Sequence, residues 1–289
     1  MTVNLTVCAQ TDVGRKRKAN EDAFLIADLT GDSLVDTESS PITRFEIGDR
    51  GVLLVVSDGM GGHRAGEVAS ALVVESMRTA MASLGDEPSN DVMIERAVER
   101  ANRETWEASQ TPERAGMGAT VTAIFVDHST AYIAEVGDSR AYVLRGGHLL
   151  QVTKDQSYVQ LLIDNGAITP EAAEHAPFRN VVLQAMGQSP NVQVALGRLA
   201  LRQRDCFLLC SDGLTNKVSS EDIQRIILSA PTLDVACTQL VALANDRGGE
   251  DNITVILGGV SGDLPALVPG EKIVDTLEIV KTFTATTPA

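Results

Sequence analysis

Three apolar segments follow one another between residues 119 and 144, and the short turns between them constrain the fold more than any other feature of the sequence. The segments cover residues 119–126, 131–136 and 141–144, and each is typical of a β-strand. Parallel neighbours need a crossover of a dozen or more residues, which these turns do not provide. The three strands are therefore expected to lie antiparallel to their neighbours in the chain.

The remaining elements come in blocks rather than in strict alternation. Further strands are expected at residues 6–10, 23–26, 51–57, 193–199, 206–210 and 253–257, and helices at 67–83, 91–109, 221–228 and 233–244. Such an order favours a layered α+β domain over a parallel α/β sheet. The polar stretch 30–49 is interpreted as a surface insertion between two early strands.

Composition excludes several classes of protein. The chain has 289 residues, with 24 Lys plus Arg against 39 Asp plus Glu and a net charge of −15. That sign argues against a nucleic-acid binder, whose binding face is basic. Four cysteines without a Cys-x-x-Cys pair are typical of buried thiols in a reducing cytosol. No signal peptide and no membrane span is expected, so the predicted location is cytoplasmic.

Acidic residues recur at the ends of the apolar segments, each in a turn with glycine or asparagine. They are Glu21, Asp22, Asp58, Asp138, Asp212 and Asp251. Taken singly, each Asp-Gly pair is an ordinary turn. Carboxylates gathered at one edge would repel one another unless a cation neutralised them, and oxygen-only ligation suits magnesium or manganese rather than zinc.

The run Arg15-Lys16-Arg17-Lys18 is a basic island in an acidic chain. Such a run is usually a solvated loop. A phosphate held at a carboxylate-rich metal site, however, needs a guanidinium beside it for bidentate contact and charge balance. The island is therefore a candidate phosphate-binding segment.

These residues form an ordered set of six motifs. The set comprises Gly14-x-x-Arg17-x-x-Asn20-Glu21-Asp22, Asp58-Gly59-Met60-Gly61-Gly62-His63, Gly118-Ala119-Thr120, Gly137-Asp138-Ser139-Arg140, Ser211-Asp212-Gly213-Leu214 and Asp251-Asn252. In order and spacing it resembles the metal-dependent protein phosphatases of the 2C type, the bacterial members above all, over about residues 4–260.

The resemblance implies a four-layer αββα sandwich, with two mostly antiparallel sheets flanked by helices. It implies a catalytic domain over residues 1–260 with a mobile flap at about 155–190. Residues 261–289 contain several prolines and are expected to form a mostly disordered tail. The alternative for part of that tail is a short docking strand or helix within 271–280.

The resemblance also assigns roles to single residues. Asp58 would bridge two manganese or magnesium ions, and the Gly59 carbonyl would complete one of them. Asp212 and Asp251 would hold the other ion, and Asp138 would help to form a third, weaker site. Glu21 and Asp22 would act through metal-bound waters.

The implied reaction is hydrolysis of phosphoserine and phosphothreonine in proteins. Water activated by two nearby ions attacks the phosphorus directly, so no phosphoenzyme is needed. Arg17 would bind the substrate phosphate. Animal members carry a histidine where this chain has Met60, so His63 is the nearest candidate for the leaving-group acid, with a metal-bound water as the alternative. The expected partners are phosphorylated substrates of a Ser/Thr kinase, and the expected state is a monomer.

Four other functions compete with this hypothesis. A serine hydrolase is rejected because Ala141 breaks the Gly-x-Ser-x-Gly pattern, and a dinucleotide-binding fold because Arg64 stands where the third glycine belongs. A nuclease would need a longer basic track. A non-catalytic phosphoprotein-binding module of the same fold stays open, although it is expected to lack metal ligands that are present here.

Overall fold

Two antiparallel sheets make up the centre of the molecule. The computed structural model describes residues 2–31, 33–34, 42–61, 65–84, 87–174 and 176–285. The strands are β1 (Val3–Asp12), β2 (Asp22–Asp28), β3 (Ser33–Leu34), β4 (Thr43–Glu46), β5 (Val52–Met60), β6 (Gly118–Ala119), β7 (Val121–Asp127), β8 (Thr130–Val136), β9 (Arg140–Arg145), β10 (His148–Gln151), β11 (Ala195–Ala200), β12 (Cys206–Cys210), β13 (Ile253–Gly262) and β14 (Leu277–Lys281).

Each sheet has a simple order of strands. Sheet A runs β10-β9-β12-β13-β1-β4, and sheet B runs β14-β11-β8-β7-β5-β2-β3, with β6 paired to β5. The pairs β7–β8 and β9–β10 are hairpins, and β8 leads into β9 through a turn at Gly137, whose φ of 112° favours glycine. The antiparallel pairing predicted from the short turns is confirmed for β7 and β8. Strand β9, however, lies in sheet A and β8 in sheet B, so the second turn joins the two sheets rather than two neighbours of one sheet.

The described ranges contain seven α-helices. They are α1 (Ala65–Ser83), α2 (Asn90–Ala108), α3 (Tyr158–Asp164), α4 (Pro170–Glu174), α5 (Asp212–Thr215), α6 (Ser220–Ser229) and α7 (Leu233–Asp246). Five of the seven cover the outer faces of the sheets, α1 and α2 on sheet B and α5 to α7 on sheet A, whereas α3 and α4 belong to the predicted flap. In α6, the Ser219 hydroxyl caps the first turn by accepting from the Asp222 amide at 3.3 Å. The apolar side chains Ile223, Ile226 and Ile227 of the same helix are buried.

Three apolar clusters define the layers. One lies between α1–α2 and sheet B, a second between the two sheets, and a third between sheet A and α5–α7. The central strand β5 is buried from Val52 to Val56 because it is covered on both faces, which explains its uninterrupted apolar sequence. The predicted α+β, four-layer αββα architecture is confirmed.

The C-terminal segment differs from the expectation of a disordered tail. Strand β14 pairs antiparallel with β11 at the edge of sheet B, in line with the alternative of a docking strand. The segment is held before that strand by Arg202, which pairs with Glu271 at 2.7 Å, and by the buried side chains Leu264 and Ile273 in the core between the sheets. Burial of these two side chains offsets part of the cost of ordering the segment.

The predicted insertion at 30–49 is partly strand. Strand β3 pairs with β2, and β4 pairs with β1 at the edge of sheet A. Residues 32 and 35–41 lie outside the described residues. Edge strands this short carry a weak sequence signal, because only one neighbour and one face constrain them.

No helix within the described ranges has the length and apolar character that would be needed to cross a bilayer.

Candidate metal and phosphate site

Strand ends of both sheets deliver carboxylates to one pocket of about 400 Å³. In sheet B, Asp22 begins β2 and lies directly opposite Asp58 of β5 in the antiparallel register. In sheet A, Asp212 follows β12 at the start of α5, and Asp251 precedes β13. The pocket is lined by Arg17, Glu21, Asp58, Gly59, Met60, Gly61, Thr120, Asp138, Asn180, Val182, Gln188, Asp212 and Asp251.

Three aspartates at this pocket, Asp22, Asp58 and Asp138, hold protons more tightly than usual. Burial raises the pKa of Asp22 to about 7 and that of Asp138 to about 8, with the charge of Asp212 adding to both. Burial also raises the pKa of Asp58 well above its ordinary value, and the surrounding aspartates increase that shift. The group is therefore short of positive charge.

Two oxygen atoms in this group have no hydrogen-bond partner. They are Asp22 Oδ1 and Asp212 Oδ1, both buried. Buried polar atoms in native proteins are almost always paired, so unpaired carboxylate oxygens point to a missing cation. The donors are all oxygens, which fits magnesium or manganese.

Next to the carboxylates, the backbone packs so closely against Gly59 that no side chain fits at this position. A Cβ on Gly59 would lie 2.2 Å from the Gly66 carbonyl oxygen and 2.4 Å from that of Glu21, so only glycine fits. Among the described residues, no three Asp, Glu, His or Cys side chains are already arranged to ligate one ion. The donor chemistry fits a divalent ion, and the carboxylates would have to close around it.

Two hydroxyl groups fix Asp22, and sequence reasoning missed both. Ser211 Oγ and Thr254 Oγ1 each donate to Asp22 Oδ2 at 2.7 Å, which links the two sheets. The available signal was a polar residue interrupting an apolar strand at Thr254 and a serine directly before Asp212.

A third missed residue, Gln156, holds the turn that carries Asp138. Its side-chain oxygen accepts from the Gly137 amide at 2.9 Å, and its backbone amide donates to the Gly137 carbonyl at 2.8 Å. Gln156 is buried, although nothing in its local sequence marks it.

The loop between β1 and β2 positions Arg17 at the pocket. Asn252 Nδ2 donates to the carbonyls of Val13 and Ala19, both at 3.0 Å, and so ties both ends of the loop to the start of β13. Arg17 Nη2 donates to Asp251 Oδ2 at 2.8 Å. The guanidinium therefore lies next to the carboxylate group, where it can bind a phosphoryl oxygen.

The structure brings together all the predicted site residues that lie within its described ranges. Glu21, Asp58, Gly59, Asp138, Asp212, Asp251 and Arg17 line the pocket, and Asp22 lies behind them against Ser211. His63 lies outside the described residues. The predicted flap contributes Asn180, Val182 and Gln188 to the pocket wall, residues that the sequence did not single out.

The chain was compared with known proteins. The family model for protein phosphatase 2C matches residues 42–256. The chain belongs to the protein phosphatase 2C family. Membership agrees with the six ordered motifs, and the family predicted from them is confirmed.

Two relatives of this protein phosphatase 2C are bacterial enzymes. The chain is 41% identical over 212 residues to the serine/threonine protein phosphatase PstP of Mycobacterium tuberculosis, covering 72% of this chain and 40% of PstP. It therefore spans less than half the length of PstP. It is 35% identical over 252 residues to the serine/threonine phosphatase stp of Listeria monocytogenes, covering 86% of this chain and 93% of that protein.

A solved structure extends the similarity to three dimensions. The crystal structure of the catalytic domain of PstP, in complex with 2 manganese ions, has a TM-score of 0.73 and 35% sequence identity to this chain. The match covers 90% of this chain and 100% of that one. The similarity thus confirms the predicted class of domain, a serine/threonine protein phosphatase domain of the 2C type, and does not favour a non-catalytic module.

Proposed function

We propose that this protein phosphatase 2C is a metal-dependent enzyme that hydrolyses phosphoserine and phosphothreonine in proteins. The observation that carries the proposal is the group of four aspartates, Asp22, Asp58, Asp138 and Asp212, two of which have unpaired buried oxygens. Arg17 lies at the same pocket. Carboxylates next to one guanidinium suit a divalent ion together with a phosphate.

The ligand roles proposed from the sequence fit the donors present. Asp58 would be shared between two manganese or magnesium ions, with the Gly59 carbonyl on one ion and with Asp212 and Asp251 on the other. Glu21 and Asp22 would contribute through water, and Asp138 would serve a third, weaker site. Bound divalent ions lower the pKa of water and neutralise charge on phosphoryl oxygens.

The chain's own side chains orient the reactants. Arg17, next to Asp251, would donate to the phosphoryl oxygens and exchange its present carboxylate partner for the substrate. Ser211 and Thr254 keep Asp22 in one orientation, and Asn216 Nδ2 does the same for Asp212 by donating to its Oδ2 at 3.0 Å. Asn180 and Gln188 of the flap would contact the peptide part of the substrate rather than its phosphoryl group.

Partners and location follow the same proposal. The substrates would be proteins phosphorylated by a Ser/Thr kinase, and the enzyme would act as a cytoplasmic monomer in signalling, without binding nucleic acid. The four cysteines are free and buried, as is usual in a reducing compartment. Light scattering during gel filtration would measure the oligomeric state.

The deciding experiment measures phosphate release from a phosphothreonine peptide with and without manganese. Activity should require manganese, disappear with chelator and be lost in Asp212→Ala. Asp246→Asn, an exposed aspartate in α7, is the matched control and should keep full activity. Titration calorimetry on the same samples measures metal binding independently of hydrolysis. Manganese binding without hydrolysis would favour the phosphoprotein-binding module. The absence of both manganese binding and hydrolysis would overturn the proposal.

A further inference from the structure

Four exposed cations stand in the chain next to residues that line the proposed active-site pocket, and we call them the basic rim. They are Arg15, Lys16 and Lys18 of the β1–β2 loop and Arg179 of the flap. None of the four forms an ion pair with a carboxylate in the part of the chain that the structure describes. Arg17, between Lys16 and Lys18, does form one, with Asp251 at 2.8 Å. The charge of the rim is therefore available to a ligand.

The backbone holds the loop part of the rim in place. The amides of Arg15 and Lys16 donate to the Gly249 carbonyl at 2.6 and 3.2 Å. Gly14 has a φ of 79°, and a Cβ there would lie 2.2 Å from the Asp251 carbonyl oxygen. Because the loop packs against the segment that carries Asp251, the three cations keep their place next to the pocket.

Charges from both parts of the rim act on one carboxylate, Glu250. Lys217 donates to Glu250 Oε2 at 2.6 Å, and this hydrogen bond lowers the pKa of Glu250, with smaller contributions from the charges of Arg179 and Lys16. Both cations thus act on the same carboxylate, one from the flap and one from the loop. Since Lys217 already pairs with Glu250, that carboxylate does not neutralise the rim.

The rim is placed where the residues flanking a phosphorylated residue would lie. Its members are within two positions of Arg17 or directly next to Asn180, both of which line the pocket. Three residues of extended peptide span about 10 Å. The chain as a whole carries −15, so an acidic peptide finds attraction at this rim and repulsion over most of the remaining surface.

We propose that the basic rim selects substrates with Asp or Glu within about three residues of the phosphorylated Ser or Thr. The inference rests on the proposed phosphatase function and adds the class of substrate to it. Complementary charge around a pocket mainly raises the association rate and fixes the register of the bound chain. The selectivity should therefore appear in kcat/KM and fall as ionic strength rises.

The test uses two phosphothreonine peptides of equal length, one with three Asp and one with three Lys around the phosphothreonine. For the full chain with manganese, the acidic peptide should have a kcat/KM at least about fivefold higher at low salt, a ratio set by a few exposed ion pairs. At 0.5 M sodium chloride, about a 4 Å Debye length, the ratio should approach one. Equal values at low salt would overturn the inference.

Charge reversal locates the effect. In Lys16→Glu/Lys18→Glu, the ratio of the two kcat/KM values should fall below one, and measuring both peptides on one preparation cancels any shared loss of turnover. The matched control is Arg44→Glu/Arg204→Glu, which makes the same change of charge at two other exposed cations. Arg44 lies in β4, which pairs with β1, and Arg204 precedes β12, whose other end leads into Asp212. An equal shift in the control would show that only net charge matters and would overturn the inference.

Hydrolysis of p-nitrophenyl phosphate separates this inference from the proposed function. This probe has a phosphate ester but no flanking residues. If the unaltered chain hydrolyses neither the probe nor the peptides, the phosphatase function is wrong. If it hydrolyses the probe and both peptides without charge preference, the function stands and the rim selects nothing.

Discussion

Two regions of the molecule hold carboxylates away from water, and they differ in whether a basic side chain pairs with these carboxylates. Asp205 is completely buried and pairs with Arg145, which donates to its two carboxylate oxygens at 2.7 and 2.6 Å. In the pocket, the charges of Asp22, Asp58 and Asp212 act on one another, and within the described residues none of the three forms an ion pair with a lysine or arginine. A buried charge is tolerated when it is paired and fully hydrogen-bonded, and otherwise it takes up a proton or a metal ion.

The difference shows what each region is for. Arg145 also donates to Thr276 Oγ1 and to the Ala200 carbonyl, so the paired region attaches the C-terminal segment to both sheets. The unpaired region is unfavourable until a cation binds. Stability and reactivity are thus assigned to separate sets of carboxylates in one sandwich.

Breaking the paired region should have the largest effect on folding. Arg145→Met leaves Asp205 buried without its counter-charge, and the free energy of unfolding should fall by about 3–5 kcal/mol. Urea denaturation measures the change. Arg198→Met, which removes an exposed partner of Glu278, is the control and should cost far less. If Arg145→Met cost no more than that control, the pair would not be what stabilises this region.

Removing a carboxylate from the pocket should act in the opposite direction on stability. Asp58→Asn should lower kcat about 10²–10³-fold, because charge stabilisation at the phosphoryl group is lost. The same variant without metal should unfold at a higher temperature than the unaltered chain at neutral pH, because an amide can be buried here without first taking up a proton, as the Asp58 carboxyl must. A lower unfolding temperature of the metal-free variant would contradict the idea of a strained acidic group.

The two regions should also differ in their response to pH. Asp22 and Asp138 have pKa values of about 7 and about 8 in the folded protein, above their ordinary value of 3.8. Between pH 3.8 and these raised pKa values, the folded chain binds more protons than the unfolded chain. The free energy of unfolding therefore falls as pH rises through this range. The unfolding temperature of the chelator-treated protein should therefore fall from pH 5 to pH 8.

Manganese should reverse that trend. Metal binding releases protons from these carboxylates, so the stabilisation by manganese should be larger at pH 8 than at pH 5. Scanning calorimetry with and without the ion measures both curves. Unfolding temperatures that rise with pH in the chelated protein would show that the pocket carboxylates are already ionised.

The smallest effect is expected from the hydroxyl groups that orient Asp22. Thr254→Val keeps the shape of the side chain and removes one of the two hydrogen bonds to Asp22 Oδ2. The manganese concentration for half-maximal activity should rise about tenfold, with little change in fold. Thr254→Ser, which restores the hydroxyl, should recover most of the affinity; if it did not, packing rather than hydrogen bonding would explain the loss.

Local sequence patterns predicted most of the core. The buried strands β5, β7, β8, β12 and β13 and the helices α1, α2, α6 and α7 all lie at or near their predicted positions. Their apolar residues repeat with the period of the element and are long enough to identify it. The carboxylates were found by the same patterns, because each one ends or begins such an element.

Short edge elements were not predictable in this way. Strand β14 has exposed side chains at Ile279 and Val280, and its place depends on β11, which lies some 80 positions earlier in the chain. Helix α5 has only four residues. In these cases a distant neighbour decides the conformation, and local propensity carries little information.

The short turn between β7 and β8 is enough to show that these two strands are antiparallel, because it leaves no room for a crossover, and the sequence also places carboxylates at strand ends. That these strand ends meet follows from the folded arrangement of the two sheets. Ser211 Oγ lies 2.7 Å from Asp22 Oδ2 although 189 positions separate the two residues. That contact depends on how sheet A stacks on sheet B through the apolar core between them, a long-range packing that no local pattern encodes.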